Sequence, residues 1–115
     1  MPVTIYHNPQ CSKSRQTLQL LCDKGVEPDI VEYLKSPPDA KTLAGLLKKL
    51  GLVPRELMRR KEAAYKENGL ADNNLDDATL IDGMVSNPIL IERPIVVNGQ
   101  RAALGRPPEA VLDIL

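Results

Sequence analysis

The order of the first three predicted elements, a strand, a helix and a second strand, constrains the fold of this chain more than any other feature. Residues 3–6 are a short apolar run, residues 12–24 have helical spacing up to Gly25, and residues 30–34 are rich in β-branched side chains. Two strands joined by a helical crossover lie parallel in one sheet, because a tight turn joins only antiparallel strands. The sequence therefore predicts a β-α-β unit. One face of its helix is formed by Ser14, Leu18, Leu21 and Cys22.

A hairpin signal near the C-terminus adds an antiparallel pair of strands. Residues 95–97 and 101–104 are short apolar runs separated by Asn98-Gly99-Gln100, and Asn-Gly between two such runs is a strong hairpin signal. Together the two patterns predict a four-stranded mixed sheet flanked by helices. The expected fold class is α/β with a thioredoxin-like architecture. A C-terminal helix is expected to follow, with one side formed by Val111, Leu112 and Leu115.

Residues 37–88 have helical patterns, and we interpret them as a helical insertion into a single domain of residues 1–115. The segment Ser36-Pro37-Pro38-Asp39 is typical of an N-cap with proline in the first turn. Leucines at i, i+3, i+4 and i+7 then predict an amphipathic helix up to Gly51. Further helices are expected from Pro54 to about Asn68 and from Asp76 or Asp77 to Asn87-Pro88.

Charge and cysteine content exclude several functional classes. Fifteen basic residues balance fifteen acidic ones, so the chain has no electrostatic basis for binding nucleic acid or a membrane surface. No apolar run approaches the ~20 residues of a membrane span, and no signal peptide is recognisable. Two cysteines do not make a disulfide framework. The expected location is therefore the reducing cytoplasm.

The loop after the first predicted strand holds the strongest candidate for chemistry. It reads His7-Asn8-Pro9-Gln10 and places Cys11 at the start of the predicted helix. Unpaired backbone N–H groups and the positive end of the helix dipole favour a thiolate there, and the same N–H groups can hold an anion. A small buried cysteine that only fills space is the alternative. We interpret Cys11 as a nucleophile beside an oxyanion site.

Three other polar side chains of this region are candidates for interaction with the thiolate. His7, the only histidine, either lowers the pKa of Cys11 as a nearby cation, orients the loop, or simply hydrogen-bonds to backbone. Ser14 and Ser12 either donate hydrogen bonds to a thiolate or a bound anion, or cap the helix.

Spacing argues against three other kinds of cysteine site. Cys22 follows Cys11 by 11 residues, which is ~16 Å along a helix, whereas a disulfide needs Cα atoms within about 7 Å. Without a C-x-x-C motif, Cys11 needs an external thiol to regenerate it. The C-x5-R loop of cysteine phosphatases is absent, because Arg15 gives C-x3-R. One histidine and two distant cysteines do not supply a zinc site, and we expect no metal.

Two arginines far along the chain each precede a proline. Arg93 precedes Pro94 at the entry to the hairpin, and Arg106 precedes Pro107 at the start of the last helix. In a thioredoxin-like fold the proline before the third strand is cis and faces the active-site cysteine, and Pro94 fits that position. Each arginine alone is more often a surface charge. Together beside a thiol they would form an oxyanion clamp through charge-assisted hydrogen bonds.

A set of motifs in a fixed order spans nearly the whole chain. Its members are Tyr6-His7-Asn8-Pro9, Cys11, Ser14-Arg15, Arg55-Glu56-Leu57-Met58-Arg59, Leu70-Ala71-Asp72, Asn87-Pro88-Ile89-Leu90, Glu92-Arg93-Pro94-Ile95-Val96-Val97 and Gly105-Arg106-Pro107-Pro108-Glu109. In these motifs the chain resembles the glutaredoxin-dependent arsenate reductase family, and it looks closest to the short bacterial members. Established members tend to have a glycine after the nucleophile, where this chain has Ser12-Lys13.

The resemblance implies an activity and a set of site residues. Cys11 corresponds to the nucleophile and His7 to a histidine linked to thiolate activation. The oxyanion-binding arginines correspond to Arg59, Arg93 and Arg106, where the spacing Arg-x-Leu-x-Arg favours Arg59 over Arg60. The implied reaction is reduction of arsenate to arsenite, with glutathione as co-substrate, glutaredoxin as partner and no bound cofactor.

Two further functions remain open. A thiol oxidoreductase of the same fold, acting for example on a glutathione mixed disulfide, would use the same cysteine and arginines. A non-enzymatic redox regulator that binds RNA polymerase would not need three converging arginines, and such proteins often carry C-x-x-C. Fold alone does not decide between these functions.

Overall fold

The computed structural model describes residues 3–115. The strands are Val3–His7 (β1), Asp29–Glu32 (β2), Ile95–Asn98 (β3) and Arg101–Leu104 (β4). The helices are Ser12–Asp23 (α1), Ala40–Leu50 (α2), Pro54–Leu57 (α3), Ala63–Glu67 (α4) and Asp77–Ser86 (α5), with 3₁₀ helices at Pro88–Leu90 and Pro108–Ile114. None of these helices has the length and apolar character needed to cross a membrane.

The chain divides into two compact units. The first contains the described residues up to Ser36 together with Arg93–Leu115, and the second is Pro37–Glu92.

The first unit is built on a four-stranded mixed sheet with strand order β2-β1-β3-β4. β1 pairs parallel with β2, so that Ile5 lies opposite Ile30. β1 pairs antiparallel with β3, where Ile5 lies opposite Val96, and β3 pairs antiparallel with β4. The crossover through α1 and the C-terminal hairpin therefore form one sheet. The predicted fold class, α/β with a mixed four-stranded sheet, is confirmed.

One face of this sheet carries the core of the first unit. Successive strand residues point to opposite faces, so Val3, Ile5 and Val96 share one side and are buried. α1 covers that side with Leu21, and the C-terminal 3₁₀ helix covers it with Val111 and Ile114. This packing fixes α1, and with it the residue at the N-terminus of α1, against the sheet.

The C-terminal helix differs from the one predicted. Pro108–Ile114 is a 3₁₀ helix that buries Pro108, Val111 and Ile114. A 3₁₀ helix has three residues per turn, so residues at i, i+3 and i+6 share a face. The predicted side is right for Val111, which is buried, and wrong for Leu115, which is 42% exposed while Ile114 takes its place in the core.

The hairpin turn contains Gly99 and Gln100, because Asn98 pairs with Arg101 at the end of the strands. Gly99 has φ of 65° and no other residue of the turn has a positive φ. Glycine at the first central position is the requirement of a type II′ turn. Asn98 is the last residue of β3. Its side chain donates to the carbonyl of Ile114 at 2.7 Å, which joins the hairpin to the end of the chain.

In the second unit, local capping signals define α2 and α5. The carboxylate of Asp39 accepts the N–H of Thr42 at 2.7 Å, and that of Asp76 accepts the N–H of Thr79 at 2.8 Å. Gly51 ends α2 with φ of 71°. The expectation of proline in the first turn of α2 was wrong, because the helix begins at Ala40 after its Asp39 cap.

The single helix predicted over 54–68 is interrupted. Residues 58–62 are not helical and separate α3 from α4. Met58 forms an antiparallel bridge with Ile91, and the N–H of Arg59 donates to the carbonyl of Leu90 at 2.7 Å. Because this backbone pairs with a distant segment, its hydrogen bonds are satisfied outside a helix.

Candidate active site

Cys11 occupies the N-cap of α1, directly after the loop that follows β1. Its backbone is extended, with φ of −97° and ψ of 123°, and its side chain makes no capping hydrogen bond. The loop is tied by the N–H of Cys11, which donates to the carbonyl of Asn8 at 3.0 Å, and by the N–H of Gln10, which donates to the Asn8 side-chain oxygen at 3.0 Å. The partly exposed sulfur is therefore available for chemistry at a helix N-terminus.

Several donors stabilise the thiolate of Cys11. Partial burial of the sulfur opposes ionisation and is the largest single influence on its pKa. Hydrogen bonds from the backbone N–H groups of Ser14 and Lys13 and from the Arg93 guanidinium act in the opposite direction and outweigh it. The pKa of Cys11 consequently lies below its ordinary value, which increases the thiolate fraction near neutral pH.

His7, Asn8 and Ser14 form a buried hydrogen-bonded group beneath the loop. His7 Nδ1 lies 2.6 Å from Ser14 Oγ, which also accepts the N–H of Asn8 at 3.0 Å. Burial lowers the pKa of His7, an effect that the charge of Glu32 partly offsets. The lowered pKa favours the neutral imidazole, whose Nδ1 shares a hydrogen bond with the Ser14 hydroxyl. This arrangement fits an orienting role better than that of a cation beside the thiolate.

Two arginines of the first unit lie at the sulfur. Arg106 Nη2 lies 3.6 Å from Cys11 Sγ, and Arg106 Nε donates to the carbonyl of Arg93 at 2.8 Å. Arg93 itself hydrogen-bonds to the Cys11 thiolate. The Arg93–Pro94 peptide bond is cis, and so is Arg106–Pro107. The structure thus brings Cys11, Arg93 and Arg106 together from three separate parts of the sequence.

Arg59 lies in the second unit and is held by two carboxylates. Its Nε lies 3.2 Å from Glu62 and its Nη1 2.8 Å from Glu92. Burial lowers the pKa of Arg59, but the hydrogen bond to Glu62 and the charge of Glu92 outweigh this effect and raise it overall. Arg59 is therefore a fixed cation, whereas its neighbour Arg60 is exposed.

A comparison with protein families matches residues 6–114 to the model of the ArsC family. The chain belongs to the ArsC family. The family identified from the sequence motifs is thereby confirmed.

ArsC relatives align over nearly all of the chain. It is 60% identical to the uncharacterized protein YfgD of Escherichia coli (strain K12), over 98% of this chain and 96% of that protein. It is 48% identical to an arsenate reductase of Haemophilus influenzae over the full length of both. The solved structure of an arsenate reductase from Vibrio cholerae superimposes with a TM-score of 0.97 at 51% identity, covering 100% of this chain and 98% of that one.

Cys22 lies at the other end of α1 of this ArsC protein. Both cysteines are free, and Cys22 is exposed. Of the face predicted for α1, Ser14 and Leu21 are buried, whereas Cys22 is not and Thr17 is buried in addition. Among residues 3–115 no three His, Cys, Asp or Glu side chains lie together as metal ligands do.

Two residues near Cys11 went unrecognised in the sequence. Asn8 makes three of the hydrogen bonds that shape the loop, and an Asn before a proline is a turn signal that could have identified it. Thr17 is fully buried and its Oγ1 donates to the carbonyl of Lys13 at 2.8 Å. No local pattern distinguishes Thr17 from the other polar residues of α1.

Proposed function

We propose that this protein reduces arsenate to arsenite, with Cys11 as the nucleophile. The observation that carries the proposal is a thiol with a lowered pKa that has two guanidinium groups beside it, those of Arg93 and Arg106. A thiolate is a nucleophile, and guanidinium groups recognise oxyanions through charge-assisted hydrogen bonds. A relative named arsenate reductase, 48% identical over its full length, supports the choice of arsenate among oxyanions.

The first step is attack of the Cys11 thiolate on arsenic. Arg93 and Arg106 hold the arsenate oxygens, and the family motif supports Arg59 as a third arginine for the anion. A sulfur–arsenic bond forms and one arsenic–oxygen bond breaks. The departing oxygen takes up protons and leaves as water. Arsenic remains in the +5 state on Cys11, and the guanidinium groups offset the negative charge of the transition state.

The two electrons come from external thiols. Glutathione forms a second sulfur–arsenic bond and displaces another oxygen as water. A glutaredoxin thiolate then attacks the glutathione sulfur and forms a mixed disulfide, and the electron pair of the broken sulfur–arsenic bond reduces arsenic to the +3 state. Hydrolysis releases arsenite and regenerates Cys11. Cys22 at the far end of α1 is not placed to form a disulfide with Cys11, which supports dependence on a thiol from solution.

The loop residues serve the thiolate in this proposal. Ser14 contributes its backbone N–H, and His7 orients the Ser14 hydroxyl and the loop. Pro94 follows Arg93 and fixes the chain where it passes the thiol. Because the reaction consumes glutathione and requires a reduced Cys11, the reducing cytoplasm is the compartment in which it would operate.

The test is a coupled assay of arsenate-dependent NADPH oxidation with glutathione, glutaredoxin and glutathione reductase. Turnover is expected in the wild-type protein and in Cys22→Ser, and should be lost in Cys11→Ser. Omission of glutaredoxin should slow the reaction at saturating arsenate.

An absence of turnover would contradict the proposal when titration of the thiol still shows a low Cys11 pKa. Reduction of a glutathione mixed disulfide under the same conditions would then assign the thiol oxidoreductase activity instead. Equal loss of activity in Cys11→Ser and Cys22→Ser would contradict the single-cysteine mechanism.

A further inference from the structure

Gly105 lies between the two arginines and the helix that carries the thiol. It is buried, and it joins the end of β4 to Arg106. Its N–H donates to the carbonyl of Pro94 at 3.0 Å. Gly105 is therefore the neighbour of Arg106 in the chain and is hydrogen-bonded to Pro94, the residue that follows Arg93.

A side chain at position 105 has no space. An ideal Cβ would lie 2.7 Å from Pro94 Cγ and 3.0 Å from Thr17 Cγ2, and nearer still to Thr17 Oγ1. Neither neighbour can easily move. The Pro94 ring is fixed in the chain, and Thr17 is fully buried with its Oγ1 bonded to the carbonyl of Lys13. Close-packed interiors respond to one added methyl group by shifting backbone.

We propose that Gly105 is a positioning residue, whose missing side chain lets α1 approach the Arg93-Pro94 segment closely enough for Arg93 and Arg106 to reach the sulfur of Cys11. The inference rests on the proposed role of Cys11 as the reacting thiol, but not on arsenate being its substrate.

The contacts of Arg93 and Arg106 with the Cys11 sulfur are sensitive to the distance between α1 and the Arg93-Pro94 segment. Cys11 is the N-cap of α1, and Thr17 lies on the next turns of the same helix. A displacement of Thr17 away from Gly105 therefore also displaces Cys11 relative to the arginines. Arg106 Nη2 is already 3.6 Å from the sulfur. Its Nε donates to the carbonyl of Arg93, which holds Arg106 to the side of the site that would move away. A shift of a few tenths of an ångström is thus enough to weaken the Arg106 contact.

The experiment is alkylation of Cys11 by iodoacetamide, measured from about pH 5 to about pH 9 in a Cys22→Ser background. Gly105→Ala is expected to react about tenfold more slowly near pH 6, the effect of losing one charge-assisted hydrogen bond to the thiolate. The matched control is Gly45→Ala in α2. No atom lies within 4 Å of its Cβ position, so its alkylation profile should equal that of the parent.

A second variant separates positioning from simple loss of stability. Thr17→Ala removes the two Thr17 atoms that a Cβ at position 105 would meet. Gly105→Ala combined with Thr17→Ala should therefore recover part of the alkylation rate lost in Gly105→Ala alone near pH 6, and not all of it, because the contact of the new Cβ with Pro94 Cγ at 2.7 Å remains. Circular dichroism verifies that each variant is folded.

Two results would overturn the proposal. One is a Gly105→Ala protein that melts at lower temperature but keeps the parent alkylation profile, which would make Gly105 a packing residue only. The other is failure of both Gly105 variants to fold, which would assign Gly105 to the fold itself. Neither measurement uses arsenate, so a wild-type protein inactive towards arsenate would refute the proposed function and leave this inference standing.

Discussion

The sulfur of Cys11 is stabilised by two different kinds of donor. The backbone N–H groups of Ser14 and Lys13 belong to the first turn of α1 and are present in any helix that begins at this point. The guanidinium groups of Arg93 and Arg106 come from segments more than half the chain away. The helix start and Arg93 thus lower the pKa of the thiol, and Arg93 and Arg106 together place two guanidinium groups beside it for an anion.

Replacement of Arg106 should affect the thiol more than the fold. Arg106 is an exposed residue that contacts Cys11 and the carbonyl of Arg93, so Arg106→Ala should change the free energy of unfolding by only about 0.5 kcal/mol. Iodoacetamide alkylation of Cys11 near pH 6 should slow by about tenfold. Arg60→Ala, which removes an exposed charge from the second unit, is the control. Equal alkylation rates in both variants would show that Arg106 does not contact the thiolate.

His7 should make the fold sensitive to mild acid. Burial lowers its folded-state pKa below the ordinary value of about 6.5. As the pH decreases below about 6.5, the unfolded chain binds a proton more readily than the folded chain does. The free energy of unfolding therefore decreases as the pH decreases. Urea unfolding at about pH 7 and about pH 5 should show a larger loss in the wild type than in His7→Gln. The same loss in both would place the titrating group elsewhere.

Among the elements, α3 and α4 depend most on a single side chain. They have four and five residues, too few for an independent helix. The Arg55 guanidinium donates to the Tyr65 hydroxyl at 2.5 Å, to the carbonyl of Leu70 at 2.8 Å and to the carbonyl of Asp72. Arg55 thus joins α3 to α4 and to the turn that follows.

Loss of Arg55 should therefore destabilise the second unit. Arg55→Ala leaves three acceptors without their donor, and we expect the free energy of unfolding to fall by about 2–3 kcal/mol. Chemical denaturation followed by circular dichroism measures the change, with Lys61→Ala, an exposed cation in the same region, as the control. A loss below about 0.5 kcal/mol would show that water replaces these hydrogen bonds at little cost.

Elements whose signals lie close together in the sequence were predictable, and those fixed by distant contacts were not. Asp76 caps α5 and Gly51 ends α2 through hydrogen bonds and backbone angles within a few residues. The break after α3 depends on pairing between Met58 and Ile91. No pattern inside residues 54–68 records that partner, so their helical propensity gave a single helix.

The same distinction applies to the candidate site. Cys11 at a helix start follows from one loop, and a short sequence window is enough to identify it. The contact between Arg106 and the sulfur joins residues 95 positions apart, and the expectation that both arginines converge on the thiol came from the fold pattern and the family motifs. Nothing in the sequence indicated that Arg59 pairs with Glu92. The chain has fifteen acidic residues, and no local pattern singles out Glu92 as the partner.

At the scale of the whole molecule, the two cysteines should differ in how fast they react with an external disulfide. Oxidised glutathione near pH 6.5 should add one glutathione to Cys11 well before Cys22, because the pKa of Cys11 is lowered by its hydrogen bonds at the helix start and by Arg93. Mass spectrometry of the intact protein should show the adduct at an unchanged rate in Cys22→Ser and not in Cys11→Ser. An internal disulfide, two hydrogens lighter than the reduced chain, would mean that α1 opens under these conditions.

The free Cys11 without a nearby second thiol also has a consequence for oxidative damage. A peroxide converts an exposed thiolate to a sulfenic acid, and a neighbouring thiol normally traps that species as a disulfide before it oxidises further. Cys22 lies about 16 Å along α1 from Cys11, so it offers no such protection. Under peroxide stress the lifetime of this protein therefore depends on how fast small thiols from solution cap Cys11, and an unprotected chain proceeds to the irreversible sulfinic acid.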